Sequence, residues 1–135
     1  MAERDVVWPE RPHALYTQHH YSPAIRAGRL LFISVQVGAR EDGSPATDLK
    51  VEIQLAFDYL DGILAAAGLS FDDVVETTLL MIDPDAVLPT LFEVMEERWG
   101  APPHPALTAP GVTWLSGFRF EIKAIAKLRE GTGAA

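Results

Sequence analysis

One carboxylate in this sequence is placed where it could act on a small molecule. Glu121 falls inside the apolar segment FRFEIKAIAKL (118–128), which alternates as a β-strand does. The alternation puts Arg119, Glu121 and Lys123 on one, open face of the strand, and Phe118 and Phe120 on the opposite face, which we expect to lie beneath the helices. A carboxylate in a partly dry cleft could orient or activate water. A solvated or salt-bridged glutamate, worth at most about 1 kcal/mol, is an equally good interpretation of the pattern alone.

The histidines are the obvious candidate metal ligands, but their spacing argues against a metal site. His19 and His20 are adjacent and would point to opposite faces of a strand. No histidine pair has i,i+4 spacing, HExxH is absent, and the sequence contains no cysteine. We therefore expect no metal, and we expect all four histidines, which include His13 and His104, to be solvated loop residues.

Motifs for a nucleophile or a phosphate are equally absent. Ser34 lies in an apolar segment without the GxSxG elbow of serine hydrolases. A small hydroxyl bonded to nearby backbone explains that serine as well as a functional role does. The segment VGAREDGS has two glycines and does not lead directly into a helix, so it is not a phosphate-binding loop.

Composition bounds the class of protein. The 135 residues suit a single domain spanning 1–135, with an irregular lead-in over about 1–13 and a frayed tail over about 130–135. Nineteen acidic residues against eleven basic ones give a net charge of −8, which disfavours nucleic acid and anionic membranes as partners. The first thirteen residues lack the apolar region of a signal peptide, and no apolar run approaches a membrane span. The expected location is cytoplasmic.

Changes in hydrophobic periodicity predict the element order β-β-α-β-α-β-β. The strands are two within 24–38, joined at Ala27-Gly28, one over 72–82, and two over 105–115 and 118–128, joined by a turn at Ser116-Gly117. The first helix runs over 49–67, between Thr47-Asp48 and Gly68. The second helix runs from Pro84 to Trp99, and its apolar stripe consists of Val87, Leu91, Phe92, Met95 and Trp99. This pattern is typical of an α+β fold with one sheet and two helices on a single face.

The strand that follows Gly28 carries apolar side chains on both faces. Strict alternation groups Leu30, Phe32, Ser34 and Gln36 on one face and Leu31, Ile33, Val35 and Val37 on the other. Two helices cover only one face of a sheet, so a monomer would expose a substantial apolar patch. We infer a homo-oligomer in which the open face is buried between subunits.

Four segments occur in a fixed order along the chain: YSPAIRAGRLLFISVQ, LAAAGLSFDDVVETT, PALT and FEIKAIA. Together, from about 21 to 128, they resemble the RidA/YjgF family of reactive-intermediate (enamine/imine) deaminases, with PALT in place of the family's Pro-Ala-Arg-Ser/Thr. The resemblance implies a chorismate-mutase-like fold and a homotrimer with clefts between subunits. It also implies hydrolysis of small imines and enamines such as 2-aminoacrylate, without a metal or organic cofactor.

The resemblance also assigns site residues. Tyr21, Ser34 and Glu121 fall at the positions of the family's tyrosine, serine and water-positioning glutamate. Gln36 matches the glutamine of the Ser-Gly-Gln strand, although Val35 replaces the glycine. Further substrate-binding candidates are Leu107, Thr108 and Trp114, the last of which could equally be a packing residue.

The main departure from the family pattern is Leu107, which stands where the family places an arginine for the substrate carboxylate. Leucine offers neither charge nor hydrogen-bond donors, so the resemblance implies a less acidic and more apolar substrate. A non-catalytic, trimeric small-molecule binding or regulatory protein that uses the same cleft is the main alternative. Ribonuclease activity is a weaker third, because the chain is acidic.

Overall fold

A seven-stranded mixed sheet organises the chain, whose computed structural model describes residues 3–130. The elements are β1 (Asp5–Val7), α1 (Leu15–Gln18), β2 (Ala24–Ala27), β3 (Leu30–Val37), α2 (Leu49–Ala66), a 3₁₀ turn (Phe71–Asp73), β4 (Val74–Ile82), α3 (Pro84–Arg98), β5 (Ala106–Thr108), β6 (Gly111–Val112) and β7 (Phe120–Lys127). Of the expected tail over about 130–135, only residue 130 lies within the described residues.

The strands are arranged in the order β1-β2-β3-β7-β4-β5, with β6 also paired to β4. β4 runs parallel to β5 and β6, and the other pairings are antiparallel. α2 and α3 pack together over the sheet, and their apolar residues form the main core with β3, β4 and β7. The predicted α+β class, with one sheet and two helices on one face, is confirmed.

Three local predictions need correction. The expected irregular lead-in contains β1, which pairs with β2. The short helix α1 was not predicted, because four residues carry too little periodicity to reveal a helix. The single strand expected over 105–115 is instead two short strands, β5 and β6.

Side chains at the two ends of α2 explain its boundaries. The carboxylate of Asp48 accepts a hydrogen bond from the backbone nitrogen of Val51 at 3.1 Å, which caps the first turn. Gly68 follows the helix at a φ of +75°, a conformation that costs glycine little. In α3 the predicted stripe is wrong at Phe92, which is 58% exposed, while Val94 is buried.

A β-bulge in β3 changes which side chains face the helices. Ile33 pairs with Ala124 and Gln36 pairs with Ile122, so β3 has one more residue than β7 between these pairs. The extra residue moves Gln36 to the helix-covered face and turns Val37 toward the open face, opposite Glu121. Strict alternation had placed Gln36 with Ser34 and Val37 with Ile33, and both placements are wrong.

A second, smaller apolar cluster lies apart from the main core and forms one end of the molecule. Its buried members are Leu15, Val37, Ala39, Leu115 and Phe118. Phe118 was expected beneath the helices with Phe120, but β7 begins only at Phe120 and Phe118 belongs to this second cluster. The cluster joins α1, the end of β3 and the loop before β7, which are the elements that surround the candidate site.

Candidate functional site

A pocket of about 310 Å³ opens beside the second apolar cluster. Its walls come from α1 and the turn after it, from β3, from the loop before β7, and from β7 itself. The lining residues are Leu15, His19, Tyr21, Val35, Val37, Trp114, Leu115, Ser116, Phe118 and Glu121. Three residues chosen from the sequence, Tyr21, Trp114 and Glu121, therefore come together around one space.

Glu121 is the one carboxylate in the wall of this pocket. Its strand neighbours are apolar on both sides, because β7 pairs it with Val37 of β3 and with Leu80 of β4. The side chain is half-buried, and within residues 3–130 it makes no hydrogen bond or ion pair. Burial raises the pKa of the Glu121 carboxyl above its ordinary value. The group can therefore take up a proton more readily than a solvated glutamate can.

Tyr21 supplies a phenol beside that carboxylate. Its ring packs edge-on against Tyr16 with centroids 5.1 Å apart, and the side chain is half-buried. Burial, followed by the negative charge of Glu121, raises the pKa of Tyr21 to about 12. The phenol therefore remains protonated near neutral pH and can donate a hydrogen bond to a ligand.

The arginine next to Glu121 in sequence does not reach the pocket. Arg119 was expected to flank Glu121 on the open face, but its guanidinium Nε lies 2.8 Å from the carboxylate of Glu52 on α2. The same guanidinium donates to the backbone oxygen of Thr47 at 2.9 Å. The expectation was wrong because Arg119 lies before the first residue of β7, so the alternation of that strand does not apply to it. Glu121 therefore forms no ion pair with Arg119.

Trp114 stands at the mouth of the pocket. It is 74% exposed, whereas the adjacent Leu115 is buried in the second cluster and fixes the loop. The loop then turns through Ser116 and Gly117, which have φ values of +56° and +95°. An exposed indole at the rim of an apolar pocket offers a flat surface to an apolar or aromatic ligand.

The other residues chosen from the sequence lie outside the pocket wall. The hydroxyl of Ser34 donates to the backbone oxygen of Ser22 at 2.6 Å. Gln36 is fully buried; its amide accepts from the Tyr16 hydroxyl at 2.8 Å and donates to the backbone oxygen of Ser34 at 2.9 Å. Leu107 and Thr108 are exposed on β5, where they pair with Thr77 and Thr78 of β4.

His13 is not the solvated loop residue that was expected, whereas His19 is exposed in the turn after α1, as expected, and also borders the pocket. His19 lines the pocket, and its backbone nitrogen closes α1 on Leu15 at 2.8 Å. His13 is buried, stacks on Tyr16 at 4.3 Å, and accepts a hydrogen bond from the backbone nitrogen of Leu15 at 3.2 Å. Burial lowers the pKa of His13 to about 4. The sequence did not predict the surroundings of either histidine, because neither belongs to a motif with a characteristic residue spacing.

The described residues contain no cluster of three or more histidine, aspartate or glutamate side chains that could hold a metal ion. Over the same residues, 3–130, no helix is both long and apolar enough to cross a membrane. The lining residues of the pocket supply a carboxyl, a phenol, an imidazole, a hydroxyl and aromatic surfaces as its chemical groups.

Comparison with known proteins identifies relatives of this chain. A family model described as endoribonuclease L-PSP matches residues 11–128. The RutC family protein YjgH of Escherichia coli is 51% identical over 130 residues, covering 96% of this chain and 99% of that protein. A solved structure described as protein YJGH has a TM-score of 0.91 at 50% identity, covering 94% of this chain and 98% of the other.

More distant relatives carry an enzymatic name. The 2-iminobutanoate/2-iminopropanoate deaminase of Mus musculus is 36% identical over 109 residues, covering 78% of this chain and 79% of that protein. The crystal structure of RidA from an Antarctic Psychrobacter has a TM-score of 0.82 at 27% identity, covering 93% of this chain and 100% of the other. The sheet and helices described above are thus the fold that these proteins share.

Proposed function

Since the chain belongs to the RidA/YjgF family, we propose that it is a hydrolytic deaminase of small imines and enamines, and that its substrates are more apolar and less acidic than 2-aminoacrylate. The observation that carries the proposal is Glu121, a half-buried carboxylate in the pocket wall that makes no hydrogen bond or ion pair within residues 3–130. A carboxyl with a raised pKa suits proton transfer near neutral pH. In this proposal Glu121 takes a proton from the water that attacks the C=N carbon, and Tyr21 donates a hydrogen bond to the reacting group.

The charge distribution around the pocket supports a substrate without a carboxylate. Among the described residues no lysine or arginine lines the pocket, and the nearby Arg119 is held by Glu52. A carboxylate bound beside Glu121 would meet a like charge in apolar surroundings, which is unfavourable. Tyr21, Trp114 and Phe118 instead present aromatic surfaces, which favour an apolar or aromatic group and attract a protonated, cationic C=N nitrogen.

We further propose that the protein works as a homotrimer whose subunits cover the open face of the sheet. Phe32 is 42% exposed there, and it pairs across the sheet with Ile125. Val75 is 46% exposed on β4. Such apolar exposure is unusual for a soluble monomer. Light scattering should give about three times the 14.8 kDa mass of the chain, and a monomer mass would contradict this part of the proposal.

Two substrates that differ only by a carboxylate test the proposed specificity. An amine oxidase generates the uncharged imine from 2-phenylethylamine, and an amino-acid oxidase generates the corresponding imino acid from phenylalanine. Semicarbazide would react with the aldehyde product as well as with the imine, so hydrolysis by the protein is followed directly as faster release of ammonia. We expect at least a roughly tenfold preference for the uncharged imine, because only the imino acid brings a second negative charge into the pocket.

Two variants connect the activity to the pocket. Glu121→Gln should abolish the acceleration, whereas Glu96→Gln, a change at an exposed glutamate of α3, should leave it intact. Equal rates for the wild type and Glu121→Gln would contradict the proposed mechanism, and a preference for the imino acid would contradict the substrate class. Thermal stabilisation by an uncharged aryl imine analogue without turnover would favour a binding or regulatory role for the same pocket.

A further inference from the structure

Hydrolysis of an imine needs proton transfer at two places. A base must take a proton from the water that attacks the carbon, and an acid must protonate the nitrogen before it can leave as ammonia. The proposed function assigns the first task to Glu121. The second task needs another group in the pocket wall that exchanges protons near neutral pH.

Tyr21 does not suit that second task. Its pKa of about 12 means that its phenol is a weak acid, which holds its proton at neutral pH. The hydroxyl of Ser116 is a weaker acid still. Among the pocket residues of the described chain, this leaves the imidazole of His19. Histidine is the side chain that most readily gives and takes protons at physiological pH.

The local structure around His19 keeps its imidazole available. The backbone of His19 is fixed by its hydrogen bond to Leu15 at the end of α1. Its side chain is exposed at the pocket and makes no hydrogen bond or ion pair within residues 3–130. Neither ring nitrogen of His19 is therefore occupied by a hydrogen-bond partner within residues 3–130.

The other described histidines are not placed for this task. His20 is exposed, has a backbone φ of +60°, and does not line the pocket. His13 is buried, and its Nδ1 already accepts a hydrogen bond from Leu15. His104 lies near Trp99, with ring centroids 6.3 Å apart, after α3. Position in the pocket wall thus distinguishes His19 from its neighbour in sequence and from the buried and distant imidazoles.

We propose that His19 is the general acid of the deamination, which is an inference that rests on the proposed function. Water attacks the iminium carbon: its oxygen forms the C–O bond, the C=N π pair moves to nitrogen, and one water proton passes to Glu121. The imidazolium of His19 then protonates the amino nitrogen of the resulting carbinolamine. The C–N bond breaks with its electron pair on nitrogen, ammonia leaves, and the hydroxyl proton returns to His19 as the carbonyl forms. Glu121 then gives the proton it took from water to the departing ammonia, which leaves as ammonium, and both residues regain their starting protonation states.

Two adjacent histidines provide a matched pair of variants for the test. The substrate is the uncharged imine of 2-phenylethylamine, generated in the assay, and kcat and KM are measured across pH 5–9. We expect His19→Gln to lower kcat on the order of a hundredfold, with a much smaller effect on KM, and to remove the alkaline limb of the kcat profile. His20→Gln should retain wild-type kinetics, because His20 lies outside the pocket.

Chemical rescue separates proton transfer from a structural role. Added imidazole should restore activity to His19→Ala in a concentration-dependent manner, while the thermal midpoint of that variant stays near that of the wild type. His19→Gln kinetics equal to the wild type, or a loss of activity that imidazole does not rescue, would overturn the assignment. A wild-type protein that does not accelerate hydrolysis would instead overturn the proposed function and this assignment together, so the two failures are distinguishable.

Discussion

The buried carboxylate of Glu52 on α2 accepts a hydrogen bond from the backbone nitrogen of Arg119 at 2.7 Å and another from the Arg119 guanidinium at 2.8 Å. The same carboxylate accepts from the backbone nitrogen of Phe120 at 3.3 Å. One side chain on a helix thereby fixes Arg119 and Phe120, the two residues directly before Glu121, at the start of β7. The position of the candidate catalytic carboxylate consequently depends on an ion pair outside the pocket.

Removing this ion pair should be costly. Glu52→Ala leaves two backbone donors and a guanidinium without their acceptor, so we expect the free energy of unfolding to fall by about 3 kcal/mol or more. Urea denaturation checks this value. The control Glu96→Ala removes an exposed carboxylate and should change stability by less than about 0.5 kcal/mol. Similar stabilities for both variants would show that Glu52 does not hold β7.

Alanine in place of Gly38 and alanine in place of Gly62 should change the stability of the protein in opposite directions. Gly38 contacts α2, and Gly62 lies within it. A Cβ at Gly38, just after β3, would overlap the backbone oxygen of Glu52, so Gly38→Ala must displace backbone and should destabilise the protein by about 3 kcal/mol or more. A Cβ at Gly62 would meet nothing within 4 Å, and Gly62→Ala should stabilise α2 by about 0.5–1 kcal/mol. Thermal unfolding of the two variants is sufficient to compare them, and a tolerated Gly38→Ala would contradict the close approach of β3 to α2.

The regular elements could be predicted because local residues define them. The side chain of Asp48 caps α2, and Gly68 follows it with a positive φ, so the expected boundaries hold to within a residue. The bulge in β3 could not be predicted, because apolar residues on both faces conceal a change of alternation. The faces of Gln36 and Val37 were wrong for that reason.

The site was less predictable than the fold, because it is assembled from segments distant in sequence. Resemblance to a family selected Tyr21 and Glu121, which do line one pocket. Leu15 and His19 come from a helix of one turn, whose sequence gives no periodic signal. Arg119 was misplaced because its partner, Glu52, lies 67 residues earlier in the chain.

Acid should destabilise the protein through His13. The folded state keeps this imidazole neutral down to a pKa of about 4, whereas the unfolded chain binds a proton below its ordinary pKa of 6.5. The unfolded state therefore binds more protons between these values, and stability falls as the pH is lowered from about 6.5 to about 4. In His13→Asn this pH dependence should flatten, while in His104→Asn, which changes an exposed histidine, it should persist. Chemical denaturation at closely spaced pH values measures how the free energy of unfolding changes with pH. An unchanged pH dependence in His13→Asn would show that a group other than His13 causes it.

Glu121→Gln should make the folded protein more stable at neutral pH. The folded-state pKa of Glu121 is raised by burial, so ionising the carboxyl costs more in the native pocket than in the unfolded chain. That cost is present in full above the folded-state pKa and disappears below the ordinary value of 4.5, where both states are protonated. The variant should therefore show a higher thermal midpoint at pH 7 that converges with the wild type near pH 4, and Glu96→Gln should show no such convergence. If Glu121→Gln is instead less stable at pH 7, then the carboxylate has a stabilising partner in the assembled protein, and its role as an unpaired proton acceptor would have to be abandoned. A gain in stability together with a loss of imine hydrolysis would mean that the pocket retains a destabilising carboxylate for its chemistry.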